Sequence, residues 1–184
     1  MTMTSADPIS FKVDALFRAT DANSDGVIEW NDLGRIVDRY LTAYKIDRND
    51  RKAYALLAAY QMYWLELLRH AHGQDRLSSE QYHAATRALV VDTSRMNMVE
   101  GLPHAVFDII DTDGDNTISR AEFAKHLDVW GLGSPTSGEV FARLDTDGDG
   151  EISRHEFIRA VREFYYAPDL DSPGSVFFGA LPRV

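Results

Sequence analysis

The chain has 184 residues, 45% of them hydrophobic and 11% aromatic, which suffices for one compact domain or two small lobes and argues against global disorder. With 29 acidic against 19 basic side chains the formal charge is −10, a balance that speaks against nucleic acid as a partner and fits a protein that collects cations. The absence of cysteine excludes disulfides and thiolate metal sites, and is compatible with a reducing compartment.

Met1–Ser10 has neither a basic stretch nor an apolar one, so no signal peptide is expected, and no apolar run approaches the roughly 20 residues of a membrane helix. Three segments further on share one layout. Leu16-Phe17 precedes Asp21, Val106-Phe107 precedes Asp111, and Val140-Phe141 precedes Asp145. Each acidic loop carries isoleucine at its eighth position (Ile28, Ile118, Ile152), and apolar residues at helical spacing follow, such as Leu33, Ile36 and Val37 after the first. The unit is therefore helix, acidic loop, helix. Loops of this kind pair through a short β-bridge at the isoleucine, which suits strand geometry, so three units require a fourth.

The fourth lies between Asp32 and Asp111, where Leu77-Ser78-Ser79-Glu80-Gln81-Tyr82 has the layout of Ile118–Phe123. Counting back from Leu77 starts this loop at His70; using Leu65 and Leu68 as helix anchors instead starts a longer loop at Arg69. In either register His70, His72, Gln74 and Gln81 stand where carboxylates would be needed, so this loop is degenerate. Helices are predicted near residues 10–20, 30–46, 50–69, 79–91, 102–110, 120–130, 137–144 and 154–165. The fold class is all-α, four helix–loop–helix units in two paired lobes packed into a compact globule. Residues 1–95 form the first pair, 96–166 the second, and 167–184 an apolar tail. Gly101-Leu102-Pro103 marks a helix start after the connector. Val176, Phe177, Phe178 and Leu181 make the tail an aggregation risk in water, so it is expected to fold back onto the helices.

Calcium takes six to eight oxygens at about 2.3–2.6 Å, and a twelve-residue loop supplies them from positions 1, 3, 5, 7 (backbone carbonyl), 9 (often through water) and 12. The last loop matches throughout: Asp145, Asp147, Asp149, Gly150 at the turn, the Glu151 carbonyl, Ser153 and Glu156. The one before it has Asp111, Asp113, Asp115, the Thr117 carbonyl, Ser119 and Glu122, with Asn116 in place of the turn glycine; asparagine tolerates the left-handed region better than most residues. The first has Asp21, Asn23, Asp25, Gly26, the Val27 carbonyl, Glu29 and, at position 12, Asp32. Aspartate is one methylene shorter than glutamate, so this site is expected to give fewer oxygens and to tolerate magnesium, which wants six ligands at about 2.0–2.1 Å. Three calcium sites are thus expected, with magnesium competing mainly at the first.

Other signals are weaker. His155-Glu156 begins an HExxH pattern but Arg159 stands at the second histidine. His70 and His72 read as a polar surface loop, and Trp30, Trp64 and Trp130 as core anchors. No nucleophile–base set, glycine-rich phosphate loop or basic patch is present, so an enzyme is not expected. Only four of the 19 basic residues are lysine, a weak compositional pointer to a GC-rich bacterial source.

These motifs resemble the EF-hand superfamily across nearly the whole chain. Asp32 at position 12, the degenerate second loop and the apolar tail make the chain similar to the sarcoplasmic calcium-binding proteins, especially their bacterial relative calerythrin. The resemblance implies a compact globule with packed lobes, a tucked tail, and calcium at hands one, three and four, often competed by magnesium. Few methionines lie outside the N-terminus (Met62, Met96, Met98) and the candidate core is aromatic, which favours a compact calcium buffer or transporter; the chain is also expected to be cytoplasmic and monomeric. The alternative is a sensor that acts on a protein target when calcium binds.

Overall fold

The computed structural model describes residues 7–92, 94, 100–132 and 137–178. Helices α1 (Pro8–Thr20), α2 (Trp30–Ala43), α3 (Arg51–Leu68) and α4 (Ser79–Val91) form the first half. Helices α5 (Gly101–Ile110), α6 (Arg120–Val129), α7 (Ser137–Leu144) and α8 (Arg154–Tyr166) form the second. Between the members of each successive pair lies a very short strand: β1 (Val27–Glu29), β2 (Arg76–Ser78), β3 (Thr117–Ile118) and β4 (Ile152–Ser153). The expected lobe boundary at 95–96, Met96, Met98 and Leu181 lie outside the described residues.

The strands pair antiparallel in two separate ribbons. Ile28 lies opposite Leu77 and Ile118 opposite Ile152. All four of these side chains are fully buried, so each ribbon is a hydrophobic rivet joining the two loops of its half. Local chemistry sets the helix starts. Asp50 accepts from the Lys52 amide to cap α3, and Pro8 opens α1 where its missing N–H costs nothing. Ser78, Ser119 and Ser153 each cap a helix and accept from the amide three residues on, while Gln81, Glu122 and Glu156 reach back to the capping residue's amide.

The second loop keeps Leu77 at the bridge position opposite Ile28, as the count from His70 has it, but not the anchors of the longer register. The longer loop with Leu65 and Leu68 as anchors is not what forms: Leu65 is 59% exposed, whereas Leu67 and Ala71 are 0% exposed. Helix α3 ends at Leu68 with Trp64 and Leu67 turned to the core, because the 3.6-residue period that buries Tyr60, Trp64 and Leu67 carries Leu65 outward. Left-handed residues in this loop are adjacent, His72 and Gly73, whereas the acidic loops place theirs two apart, as in Gly148 and Gly150. Its path therefore differs from that of the other three.

The two halves are locked by polar as well as apolar contacts. Arg39 of α2 donates to the Val129 carbonyl at 3.4 Å, and Lys52 of α3 to the Asp111 carbonyl at 3.0 Å. The tail turns back through a short 3₁₀ segment, Pro173–Val176, and buries Val176 and Phe177. Phe177 meets Phe157 edge-on at 5.0 Å, and Phe178 meets Trp130 and Phe164 at 4.8 Å each. Lys12 of α1 holds the other side of this closure. Its ammonium donates to the carbonyls of Glu163 (3.1 Å) and Ala167 (2.7 Å) at the C-terminus of α8, where the helix dipole favours a cation. Burial is the larger influence on this amine and lowers its pKa to about 8, against the raising effect of Asp169, Asp7 and Glu163.

Candidate metal centre

Each acidic loop begins where a helix ends. The amides of Asp21, Asp111 and Asp145 still donate to the carbonyls of Phe17, Phe107 and Phe141, four residues back. The phenylalanines are buried, so packing of the helix fixes where the first carboxylate enters the loop. The chain then winds round that carboxylate. In the last loop Asp145 accepts from the amides of Gly148 (2.8 Å) and Gly150 (3.0 Å), one on each oxygen. Asp111 does the same for Gly114 (2.8 Å) and Asn116 (3.1 Å), and Asp21 takes Gly26 at 2.9 Å.

Such winding needs left-handed backbone at the sixth position, and Gly26, Asn116 and Gly150 have φ of +83°, +68° and +93°. Asn116, the expected departure from glycine, takes up the conformation. Its side-chain oxygen accepts from Arg154 Nε of the neighbouring hand at 2.9 Å, so its strain is offset by a cross-loop bond.

Three carboxylates converge in each of the last two loops. Asp111, Asp113 and Asp115 offer oxygens all within 4.8 Å of one another, and so do Asp145, Asp147 and Asp149. Without a cation such clusters of like charge repel. In the first loop the corresponding trio is Asp21, Asn23 and Asp25, and the Asn23 amide donates to Asp25 at 2.7 Å. Val27 and Thr117 open strands β1 and β3, and Glu151 directly precedes β4, so the seventh residue of each loop lies at the ribbon. The donor set is hard oxygen throughout, which suits calcium or magnesium and not a softer metal.

The twelfth position separates the loops. One oxygen of Glu156 accepts from the Thr146 amide and hydroxyl (2.8 and 2.9 Å), and the other from the Ser153 amide and hydroxyl (2.9 and 2.8 Å). Glu122 repeats this with Thr112 and Ser119. Burial raises the Glu156 pKa, but the bonds from Ser153 and Thr146 outweigh it and bring it down to about 2. Glu122 is also lowered, by Thr112 and Ser119 against the effect of burial. Both glutamates thus span from the ninth residue to the second, ionised and aimed across the loop. Asp32 is buried and accepts from the Glu29 amide at 2.9 Å, but its other oxygen faces Arg35 at 3.5 Å instead of the second residue, Ala22. The missing methylene shows directly as a shorter reach.

Sequence reasoning did not find the buried polar group at the centre of the molecule. Tyr40, His126 and Trp130 are linked by hydrogen bonds between the halves. The available signal was His126 flanked by Phe123 and Leu127 at core spacing on α6. Lys12 likewise sits between apolar positions of α1 and is 0% exposed.

Helix–loop–helix units joined by two-strand ribbons, with oxygen cradles built from Asp-rich loops, define the class of EF-hand calcium-binding proteins. The chain matches the EF-hand domain pair family over residues 104–162 and the EF hand family over residues 13–37. It is 31% identical to the sarcoplasmic calcium-binding protein of Perinereis vancaurica tetradentata, with 92% of this chain and 96% of the relative covered. A calcium-binding protein of Streptomyces coelicolor, solved as a structural basis for prokaryotic calcium-mediated regulation, is similar in structure. Its TM-score is 0.75 at 24% identity, covering 88% of this chain and 99% of that one. The amphioxus sarcoplasmic calcium-binding protein superposes with a TM-score of 0.74 at 20% identity, covering 96% and 98%. The chain belongs to the sarcoplasmic calcium-binding protein family of EF-hand proteins. None of the described helices is long and apolar enough to cross a membrane.

Proposed function

We propose that the protein is a monomeric, cytoplasmic calcium buffer or transporter with three Ca²⁺ sites and no enzymatic activity. The first site uses Asp21, Asn23, Asp25, the Val27 carbonyl and Asp32. The others use Asp111, Asp113, Asp115, the Thr117 carbonyl and Glu122, and Asp145, Asp147, Asp149, the Glu151 carbonyl and Glu156. The observation that carries the reading is the pair of position-twelve glutamates, each held by donors from both ends of its loop. Three calcium ions would bring the formal charge from −10 to −4, relieving self-repulsion. The tail rings against Trp130, Phe157 and Phe164 support a buffer, since they fill the space in which a sensor would open a groove. At the first site the short reach of Asp32 favours a smaller coordination number, so magnesium competes there.

Calorimetric calcium titration, with and without millimolar magnesium, tests this. The expected stoichiometry is three, falling to two strong sites under magnesium. Two sites in magnesium-free buffer would remove the first loop from the proposal.

A sensor reading has one observation in its favour. Tyr54, Ala58, Met62 and Leu65 lie exposed along one side of α3, a stripe on which a target could dock. Capture of one defined protein in calcium but not in chelator, lost in Leu65→Glu, would support it; the buffer reading expects none.

A further inference from the structure

The tenth residue of each of the last two loops is an arginine, Arg120 and Arg154, where the first loop has Trp30. Each arginine lies on the helix anchor of the other hand. The Arg120 guanidinium carbon is 4.6 Å from the centre of the Phe141 ring, and that of Arg154 is 4.1 Å from the centre of Phe107. These phenylalanines stand four residues before Asp145 and Asp111, so the two stacks are counterparts.

Polar contacts distinguish them. Arg154 donates through Nε to Asn116 Oδ1 at 2.9 Å, and through a terminal nitrogen to Asp108 at 2.7 Å. The matching positions of the last hand are Gly150 and Ala142, which offer Arg120 no side-chain acceptor. Asn116 in turn donates its amide to Asp111 Oδ2 at 3.1 Å. A continuous chain thus runs from the first residue of α8, two before Glu156, through Asn116 to the first carboxylate of the third loop. Asn116 is also where the third loop holds a side chain in the left-handed region, at φ +68°, while the other acidic loops use glycine.

Surface pairs contribute little when both side chains must first be ordered. Here the Phe107 face holds the guanidinium plane, and the planar fork reaches Asn116 and Asp108 together. We propose that Arg154 is a positioning residue for the third calcium site: through Asn116 it holds the left-handed turn that aims Asp111, so the fourth hand supplies part of the third site's affinity. The assignment rests on the reading of both loops as calcium sites. It ties the third site to the seating of α8, whose first turn carries Glu156 of the fourth. The turn of the fourth loop has no such support, because Gly150 has no side chain to grip.

Calcium titration of the ¹⁵N-labelled full chain against a chelating indicator gives the affinities, and the amides at position 116 and Gly150 assign them to the third and fourth loops. Asn116 is exposed and Arg154 partly so, so substitutions there leave the core intact. Arg154→Met is expected to weaken the third site relative to the fourth by about fivefold, the net worth of one hydrogen bond. In the Asn116→Gly background, where the turn needs no support, the same substitution should leave that ratio unchanged. The charge of Arg154 and its bond to Asp108 are lost alike in both backgrounds and cancel in the comparison. Arg120→Met, which removes a stack but no bond to a turn, should act equally in the two. Equal effects of Arg154→Met in both backgrounds, or a background dependence as large for Arg120→Met, would overturn the assignment and leave the calcium reading standing. A wild-type Asn116 amide that never responds to calcium would overturn both.

Discussion

The Tyr44 hydroxyl, at the C-cap of α2, donates to the backbone carbonyl of Glu122 at 2.7 Å, so a side chain of the first half grips the position-twelve residue of a loop in the second. Lys52 does the same at the other end of that loop, through the Asp111 carbonyl. The third cradle is thus held at both ends by the opposite half. Tyr44→Phe is expected to cost about 1 kcal/mol of stability, the net worth of one hydrogen bond, and to weaken calcium binding at one site by a few-fold. Chemical denaturation and calcium titration of the variant check both. Unchanged calcium affinity would mean that the loop does not need this grip.

Asp32→Glu restores the methylene that lets Glu122 and Glu156 span from the ninth to the second loop residue. Calcium affinity at the first site should rise by tenfold or so, and magnesium should compete less, because bidentate coordination favours the larger ion. Competition calorimetry separates the outcomes. If magnesium competes as strongly as before, the reach of Asp32 is not what sets the preference.

Gly174 is a glycine because of packing, not backbone angle. A Cβ there would lie 2.2 Å from the Ala160 carbonyl oxygen and 2.5 Å from Glu163 Cβ, while its amide donates to Glu163 at 2.8 Å. Gly174→Ala should therefore lift the tail from α8, lower the melting temperature and raise binding of a hydrophobic dye in calcium. A variant with wild-type melting and dye response would show that the tail contributes little to the closed form.

His126 gives a pH signature. Its folded-state pKa, about 3, lies below the ordinary 6.5, so the unfolded chain takes up a proton first as pH falls. Stability from this group is complete above about pH 6.5 and is lost progressively from there down towards pH 3, by at most about 1.4 kcal/mol per pH unit. The groups around the ring are neutral: Tyr40 at Nδ1, and Phe123, Phe157 and Phe177 against its faces and edges. Denaturation midpoints at pH 7 and pH 5, at one calcium concentration, should fall more steeply for wild type than for His126→Leu. Equal falls would assign the pH dependence to other groups.

The helices and acidic loops were legible because each rests on a short-range rule. Phe17, Phe107 and Phe141 stand four residues before an aspartate, Ile28, Ile118 and Ile152 stand at the ribbon, and serine caps with glutamate three residues on start α6 and α8. The longer register of the second loop fails because Leu65 looks as apolar as Leu67, and only the phase of α3 against the core distinguishes them. Lys12 and His126 were unreadable as partners, since each meets groups far away in the chain, at α8 and at α2.

The amino-acid order alone determined where cations can be gripped, because every donor of a cradle comes from one stretch of twelve residues whose winding is local. Tertiary structure decided everything that two distant stretches must build together: the grip of Tyr44 and Lys52 on the third loop, the seating of the tail, and the hydrogen-bonded link of Tyr40, His126 and Trp130 between the halves. The physical reason is that burial, and with it the worth of a hydrogen bond or the cost of leaving one unmade, is a property of the packed whole and not of any segment.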